Sequence, residues 1–184
     1  MKKTTEKITI GKKKFDAELL WTEKKDRPKL KKLYKAWVEL KNGLKEFESR
    51  APNLPEGISE GAFSLEFNCP RVLDVKGTAA SYDCYNTKTH ERIQIKATTI
   101  RYDLTSFGPD SVWDTLYLLD FYRDGKFDGK YDVYKIPNDL IYNHQISKTQ
   151  TFRDQQKQKR RPRFGIKKSI IEMHDIKPTK TCQI

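Results

Sequence analysis

The nine residues from Arg92 to Ile100, Arg-Ile-Gln-Ile-Lys-Ala-Thr-Thr-Ile, constrain this chain more than any other stretch. They are rich in β-branched side chains and alternate in polarity, as a strand with one covered face does. Successive side chains point to opposite sides, so Ile93 and Ile95 share one face while Arg92, Gln94 and Lys96 share the other. Such a strand needs a sheet around it. Further strands are expected over Ala80–Tyr85, Leu116–Tyr122 and Tyr131–Ile136. Gly77, the loop Asn86–His90, the run Ser106–Asp110 and the pair Asp124-Gly125 supply the turns between them.

Helical spacing appears in two places. From Arg27-Pro28 onward, Leu30, Leu33, Tyr34, Trp37, Val38, Leu44 and Phe47 recur with a helical period, with a possible break at Asn42-Gly43. The lysines at 29, 31, 32, 35, 41 and 45 fall largely on the polar side of this helix, where they are either a solvated face or contacts to phosphate. A second helix is expected from Glu56 to Phe67, after the turn Ala51-Pro52-Asn53-Leu54-Pro55, with Ile58, Ala62, Phe63 and Leu65 inward. Glu56 and Glu60 then lie one turn apart. Pro137-Asn138-Asp139 reads as a cap leading into Leu140-Ile141-Tyr142. The expectation is an α/β fold: residues 1–50 form a basic N-terminal helical extension, and residues 51–184 form the main domain with a basic segment at 150–168.

A chain of 184 residues can bury one real core, and its nine Phe, nine Tyr and three Trp supply the large apolar surfaces that disordered chains lack. No run approaches the roughly 18 apolar residues of a membrane span, and the lysine-rich start lacks a signal peptide's apolar stretch. A cytoplasmic location is expected. Cys69, Cys84 and Cys182 are widely spaced and read as reduced structural thiols. His90, His144 and His174 show no zinc-binding spacing. The net charge of +12 is unevenly spread: residues 1–50 carry 16 basic and 8 acidic side chains, residues 51–150 carry 11 and 14, and residues 151–184 carry 10 and 3. Two basic arms around a mildly acidic centre suit a protein that grips a polyanion while presenting carboxylates to a metal. A ribosome-bound protein has the same charge layout.

The chemistry-bearing residues cluster on the first strand. Gln94 and Lys96 project together, and Asp83 lies across a short hairpin from them. Hydrolysis of a phosphodiester needs oxygen ligands that hold Mg²⁺ against the scissile phosphate and a cation that orients and helps deprotonate the attacking water. Asp83 offers charge, Gln94 an amide oxygen and Lys96 an ammonium group. Alternation puts Glu91 on the isoleucine face, away from Gln94, unless a bulge intervenes at Arg92. Glu60, on the preceding helix, is the better second carboxylate, with Glu56 and Asp74 as fallbacks. The exposed face of a purely structural hairpin would carry the same residues.

The run Arg92-Ile93-Gln94-Ile95-Lys96-Ala97-Thr98-Thr99, preceded by Tyr82-Asp83, resembles the core of the PD-(D/E)xK nuclease superfamily in its Gln-bearing variant. Four longer stretches resemble small type II restriction endonucleases that read the pentanucleotide GCNGC: Leu54-Pro55-Glu56-Gly57-Ile58-Ser59-Glu60, Asp103-Leu104-Thr105-Ser106-Phe107-Gly108-Pro109, Tyr134-Lys135-Ile136-Pro137-Asn138 and Arg160-Arg161-Pro162-Arg163-Phe164. The similarity covers residues 54–182. It implies a central mixed sheet flanked by helices and a homodimer that cuts both strands of double-stranded DNA at a near-palindromic site. It also implies a cognate DNA methyltransferase as system partner and a bacterial, cytoplasmic setting. Carried over, Asp83, Gln94, Lys96 and Glu60 are the implied catalytic residues. Asp83, Gln94, Glu60 and the Ile95 backbone carbonyl are the implied ligands of Mg²⁺. Mn²⁺ is expected to substitute for it, and Ca²⁺ to support binding without cleavage. The amides and cations Arg153, Gln155, Gln156, Lys157, Lys159, Arg160, Arg161 and Arg163, with Ser106, are the expected DNA contacts. A structure-specific repair or junction nuclease and a non-catalytic nucleic-acid-binding module remain the alternatives.

Overall fold

The computed structural model describes residues 1–78 and 81–184. In chain order the elements are β1 (Lys2–Ile10), β2 (Lys13–Trp21), α1 (Arg27–Glu46), α2 (Glu56–Phe67), β3 (Arg71–Val75), β4 (Cys84–Tyr85), β5 (Arg92–Thr98), β6 (Thr105–Ser106), β7 (Thr115–Asp120), β8 (Lys130–Ile136), α3 (Asn138–Tyr142), β9 (Gln145–Ser147), β10 (Gln150–Thr151), α4 (Phe152–Lys157), β11 (Arg163–Phe164) and β12 (Lys180–Gln183). A short π-helical turn, Lys167–Glu172, precedes β12. Eight strands form one sheet in the order β1-β2-β3-β4-β5-β7-β8-β12. Every pairing is antiparallel except β5 with β7, so the sheet is mixed, as expected.

Both faces of the sheet are covered. On one, Leu30, Tyr34 and Trp37 of α1 and Ile58 and Phe63 of α2 pack with Ile93, Ile95, Leu119 and Val133. On the other, Leu116, Leu118 and Ile136 pack under Phe107, Ile141, Phe152, Phe164 and Ile170. The period-2 alternation of β7 explains this directly, since Leu116 and Leu118 serve one layer and Tyr117 and Leu119 the other. The helix expected at Glu56–Phe67 forms over those residues, and Asn68 ends it in the left-handed conformation (φ 53°). Helix α1 runs through Asn42-Gly43 without a break to Glu46. Lys41, grouped with the polar lysines by spacing, is buried, with Nζ 3.6 Å from the centroid of the Phe127 ring.

The opening of the chain departs from expectation. Residues 2–21 form an antiparallel hairpin instead of helix, with Ile8 opposite Phe15 and Glu6 opposite Ala17. Thr4-Thr5-Glu6-Lys7-Ile8-Thr9-Ile10 is rich in β-branched residues, which favour strand, and Gly11, at φ 61°, supplies the turn. The hairpin also belongs to the main sheet, because β2 pairs with β3 through Ala17–Val75 and Leu19–Val72. Of the strand expected at 80–85, only Cys84-Tyr85 forms ladder, while Ala80 lies outside the described residues. All three cysteines are buried and unbridged.

Leu19 is fully buried with Ile8, Ala17, Val75 and Tyr85. Leu19→Ala should therefore destabilise the whole protein by about 2–5 kcal/mol in urea unfolding. A hairpin that merely hung from the sheet would give a value near zero.

Candidate active site

The brevity of β4 creates the site. Asp83 N donates to Ile93 O (2.9 Å), and there the backbone ladder along that flank of β5 ends. The next inward-facing amide, Ile95 N–H, donates instead to the Asp83 side chain, with Oδ2 2.6 Å away. A carboxylate thus takes the place of a strand partner. Along β5, the Arg92 and Thr98 carbonyls bond to residues 114 and 121 on the β7 side, whereas the Ile93 carbonyl bonds to Asp83. The same alternation turns the Ile95 carbonyl toward the gap beside Asp83.

That gap lets the two faces of the sheet communicate. Gln94 and Lys96 lie on the face of Leu116 and Leu118, whose register partners they are. Glu60 comes from α2, on the opposite face. A polar cavity of about 250 Å³ is lined by Glu56, Glu60, Asp83, Ile95, Lys96 and Asp103, among others. Among the described residues, no three His, Cys, Asp or Glu side chains converge closely enough to hold a metal by themselves. A sparse set of one or two carboxylates with carbonyl or amide oxygens is what Mg²⁺, which keeps several waters, requires.

The charges of this cavity are costly without a cation. Glu60 is pushed up to about 7, first by burial and then by the nearby Asp83 carboxylate, against the opposing pull of Arg71. Burial also raises Asp83, against the Ile95 amide and Lys96. Lys96 is lowered chiefly by burial, with Asp83 and Glu60 opposing and Arg161 adding to the decrease. Arg71 Nε donates to Glu60 Oε2 at 2.6 Å, and both hydrogen bonds to Asp83 fall on Oδ2. Asp83 Oδ1 and Glu60 Oε1 are the oxygens left for a cation. Two buried carboxylates that repel each other, each with an oxygen to spare, fit a divalent ion.

The structure brings the expected Asp83, Glu60 and Lys96 to one cavity and alters two other expectations. Gln94 is not on an exposed face: it is 5% exposed, and its Nε2 donates to Asp83 Oδ2. Its Oε1 is the end a cation could take. Glu91 does sit away from Gln94, with Thr89 and Thr115 hydroxyls donating to it. Asp74 is exposed on β3 opposite Glu18 and does not line the cavity. Arg71, which holds Glu60, carries no local sequence signal, because nothing marks a residue 11 positions after its partner. Asp103 stood only within a longer motif.

The expected DNA-contacting segment covers the Lys96 face. Lys96 Nζ lies 5.2 Å from the Phe107 ring centroid. Phe107 N donates to Pro162 O (3.1 Å), and β6 pairs with β11 through Ser106–Arg163. Arg153, Lys157, Lys159, Arg160, Arg161 and Arg163 are exposed. Of these, Lys159 is paired with Asp110, and Arg160 donates to Gln150 Oε1 (3.0 Å). The two amides behave differently from the expectation for base readers. Gln155 is buried in contact with Gln150, and Gln156 Nε2 donates to the Gly108 and Ser111 carbonyls, each at 3.3 Å. Gln156 thereby braces the 108–111 loop against α4, and the helical repeat that exposes Arg153 and Lys157 turns Gln155 inward.

A recessed acid–amide–lysine group beside a ribbon of exposed arginines is the equipment of a nucleic-acid phosphodiesterase. The comparisons with known proteins are specific. The family model described as Bsp6I restriction endonuclease matches residues 22–173. The type II restriction enzyme Bsp6I of Bacillus sp. (strain RFL6) is 39% identical over 154 residues, covering 80% of this chain and 82% of the relative. No solved structure gives a significant match. The chain belongs to the Bsp6I restriction endonuclease family, and it is a site-specific deoxyribonuclease. Type II restriction enzymes generally use divalent metal ions.

Glu60 titrates about 7 in the fold against an ordinary value of 4.5. Its contribution to stability is therefore complete below the ordinary value and lost as pH rises through 7. In metal-free protein, Glu60→Gln should flatten the decline in unfolding free energy over that window. An unchanged slope in pH-resolved denaturation would show that Glu60 is ionised throughout.

Proposed function

We propose that this chain is a PD-(D/E)xK type II restriction endonuclease that uses Mg²⁺ to hydrolyse both strands of double-stranded DNA at a short, GC-rich, near-palindromic site of the GCNGC type. The observation that carries the catalytic part is the Asp83 carboxylate bonded to the Ile95 amide, within a cavity that Glu60 and Lys96 also line. The target sequence rests on the resemblance of the four motifs. A homodimer, a cognate methyltransferase and a bacterial cytoplasmic setting complete the reading. No helix among the described residues is long and apolar enough to cross a membrane.

Asp83, Glu60, Gln94 Oε1 and the Ile95 carbonyl are the groups that would hold the ion. A bound divalent cation supplies Lewis acidity, polarising the scissile phosphate and acidifying a water. The protein's own residues do the rest. Gln94 fixes Asp83 from behind through its amide nitrogen, and Arg71 fixes Glu60, so neither carboxylate has to reorganise when DNA arrives. Lys96 orients the attacking water. Burial lowers the Lys96 pKa and so eases proton exchange at Nζ, which can take the water's proton as the new P–O bond forms and the bridging P–O bond breaks, the departing oxygen taking its proton from solvent. Arg161, close enough to depress Lys96, and Arg163, paired with Ser106, are positioned to meet the same DNA. Arg153, Lys157, Lys159 and Arg160 continue the basic surface outward, where they suit phosphate contacts.

Digestion of a defined plasmid in Mg²⁺ should give discrete fragments whose ends, read by run-off sequencing, share one short motif. A smear would favour a structure-specific or nonspecific nuclease. Asp83→Ala and Lys96→Ala should each lower cleavage by on the order of 10²–10⁴-fold or more while leaving binding in Ca²⁺ intact. Retained Mg²⁺-dependent cutting by either variant would remove that residue from the mechanism. Arg161→Ala and Arg163→Ala should weaken discrimination between the target and single-base variants by roughly 1–3 kcal/mol per lost base contact. Equal weakening on all sequences would assign those arginines to phosphate alone.

A further inference from the structure

Helix α1 carries more apolar surface than the fold buries. Leu30, Tyr34 and Trp37 face the core, but Leu33 is 47% exposed, Leu40 54% and Phe47 82%. These three are spaced seven residues apart, so they drift only about 20° per step and form one stripe along the outside of the helix. On the same seam Ala36 and Gly43 lie between them, and Lys29 lies one turn before Leu33. Leu33, Ala36 and Leu40 form one wall of a groove of about 470 Å³ that Met1, Leu20, Pro55, Gly57 and Arg71 also line. Arg71 is the residue that holds Glu60, so the groove adjoins the candidate active site.

We propose that this seam is the interface between two copies of the chain, with the two α1 helices packed antiparallel about a two-fold axis that crosses the seam at the level of residue 38, between Ala36 and Leu40. The proposal rests on the two-copy reading above and adds the surface and its register. The seam is self-complementary in that arrangement and in no parallel one. Leu33 falls against the partner's Gly43, and Ala36 against the partner's Leu40. Lys29 lies alongside the partner's Phe47, whose exposed ring then meets an aliphatic stem and an ammonium group. Large side chains enter the notches left by small ones, as interdigitating layers require. Along one edge, Lys32 comes within a turn of the partner's Glu46, an exposed pair of opposite sign. Parallel packing would instead stack Ala36 on Ala36 and Gly43 on Gly43, leaving voids, and would set Lys29 and Lys32 against their own copies. One feature opposes the dimer: Glu39 approaches the partner's Glu39 near the axis.

Sedimentation equilibrium on the full chain without DNA tests the arrangement. The expected result is a dimer at about 10 μM, with Leu40→Lys weakening association by about 100-fold or more. Lys32→Glu and Glu46→Lys should each weaken it by roughly 3- to 30-fold, and the double swap should restore it. Glu39→Gln should tighten it. The charge swaps sit on exposed positions and keep the test valid should Leu40→Lys disturb folding, which circular dichroism would report. A wild-type chain that is monomeric both alone and on target DNA overturns this interface and the two-copy reading together. A wild-type dimer left intact by Leu40→Lys and by both charge swaps overturns the interface while the two-copy reading stands. Weakening without rescue by the double swap overturns the antiparallel register.

Discussion

The hydrogen bond from the Ile95 amide to the Asp83 carboxylate is the contact around which the candidate active site is organised. A buried strand amide must have a partner, and β4 is too short to provide one. By supplying it from a side chain, Asp83 satisfies the edge of β5 and at the same time holds a carboxylate inside the sheet. Had β4 continued, backbone would fill the gap and Glu60 and Lys96 would be separated by a closed sheet. The ladder's early end is thus both a structural problem and the origin of the cavity.

The electrostatics follow from the same burial. Glu60, Asp83 and Lys96 are all displaced toward their neutral forms, and in each the first cause is loss of water. Their mutual attractions and the Arg71 and Gln94 hydrogen bonds offset that cost only in part. A site in this condition favours whatever restores charge balance, which a divalent cation does. It also brings a lysine closer to proton transfer, which the same residue on an open hairpin would not approach. Stability without metal and readiness for metal are opposite readings of one arrangement.

The two layers over the sheet divide the work. Helix α2 carries Glu60 on one face, and α1 beside it leaves an apolar seam uncovered. The segments around β6, β11 and α4 cover the other face, set Phe107 against Lys96, and present the arginines. Gln155 and Gln156 belong to the scaffold of that layer: Gln156 holds α4 to the 108–111 loop and Gln155 ties it to Gln150, so that the neighbouring cations have a fixed base.

Much of this was legible in the chain itself, where the information is periodic. Alternation from Arg92 to Thr98 determined the strand, the pairing of Gln94 with Lys96 and the exclusion of Glu91. Helical spacing determined α2, with Glu60 one turn beyond Glu56, and located most of α1. The first 21 residues are the exception: Thr4–Ile10 is rich in β-branched residues but follows no strict alternation, and Gly11 alone is a weak turn signal, so a hairpin stands where a helical extension is expected. Periodicity states which residues share a face, but it does not state what covers that face or how far a neighbouring strand extends. Only the tertiary structure decided that Gln94 and Lys41 are buried, that Arg71 holds Glu60, and that Gln155 points inward. The end of β4 at Tyr85, and with it the meeting of residues from opposite faces, depends on long-range packing that no local pattern encodes.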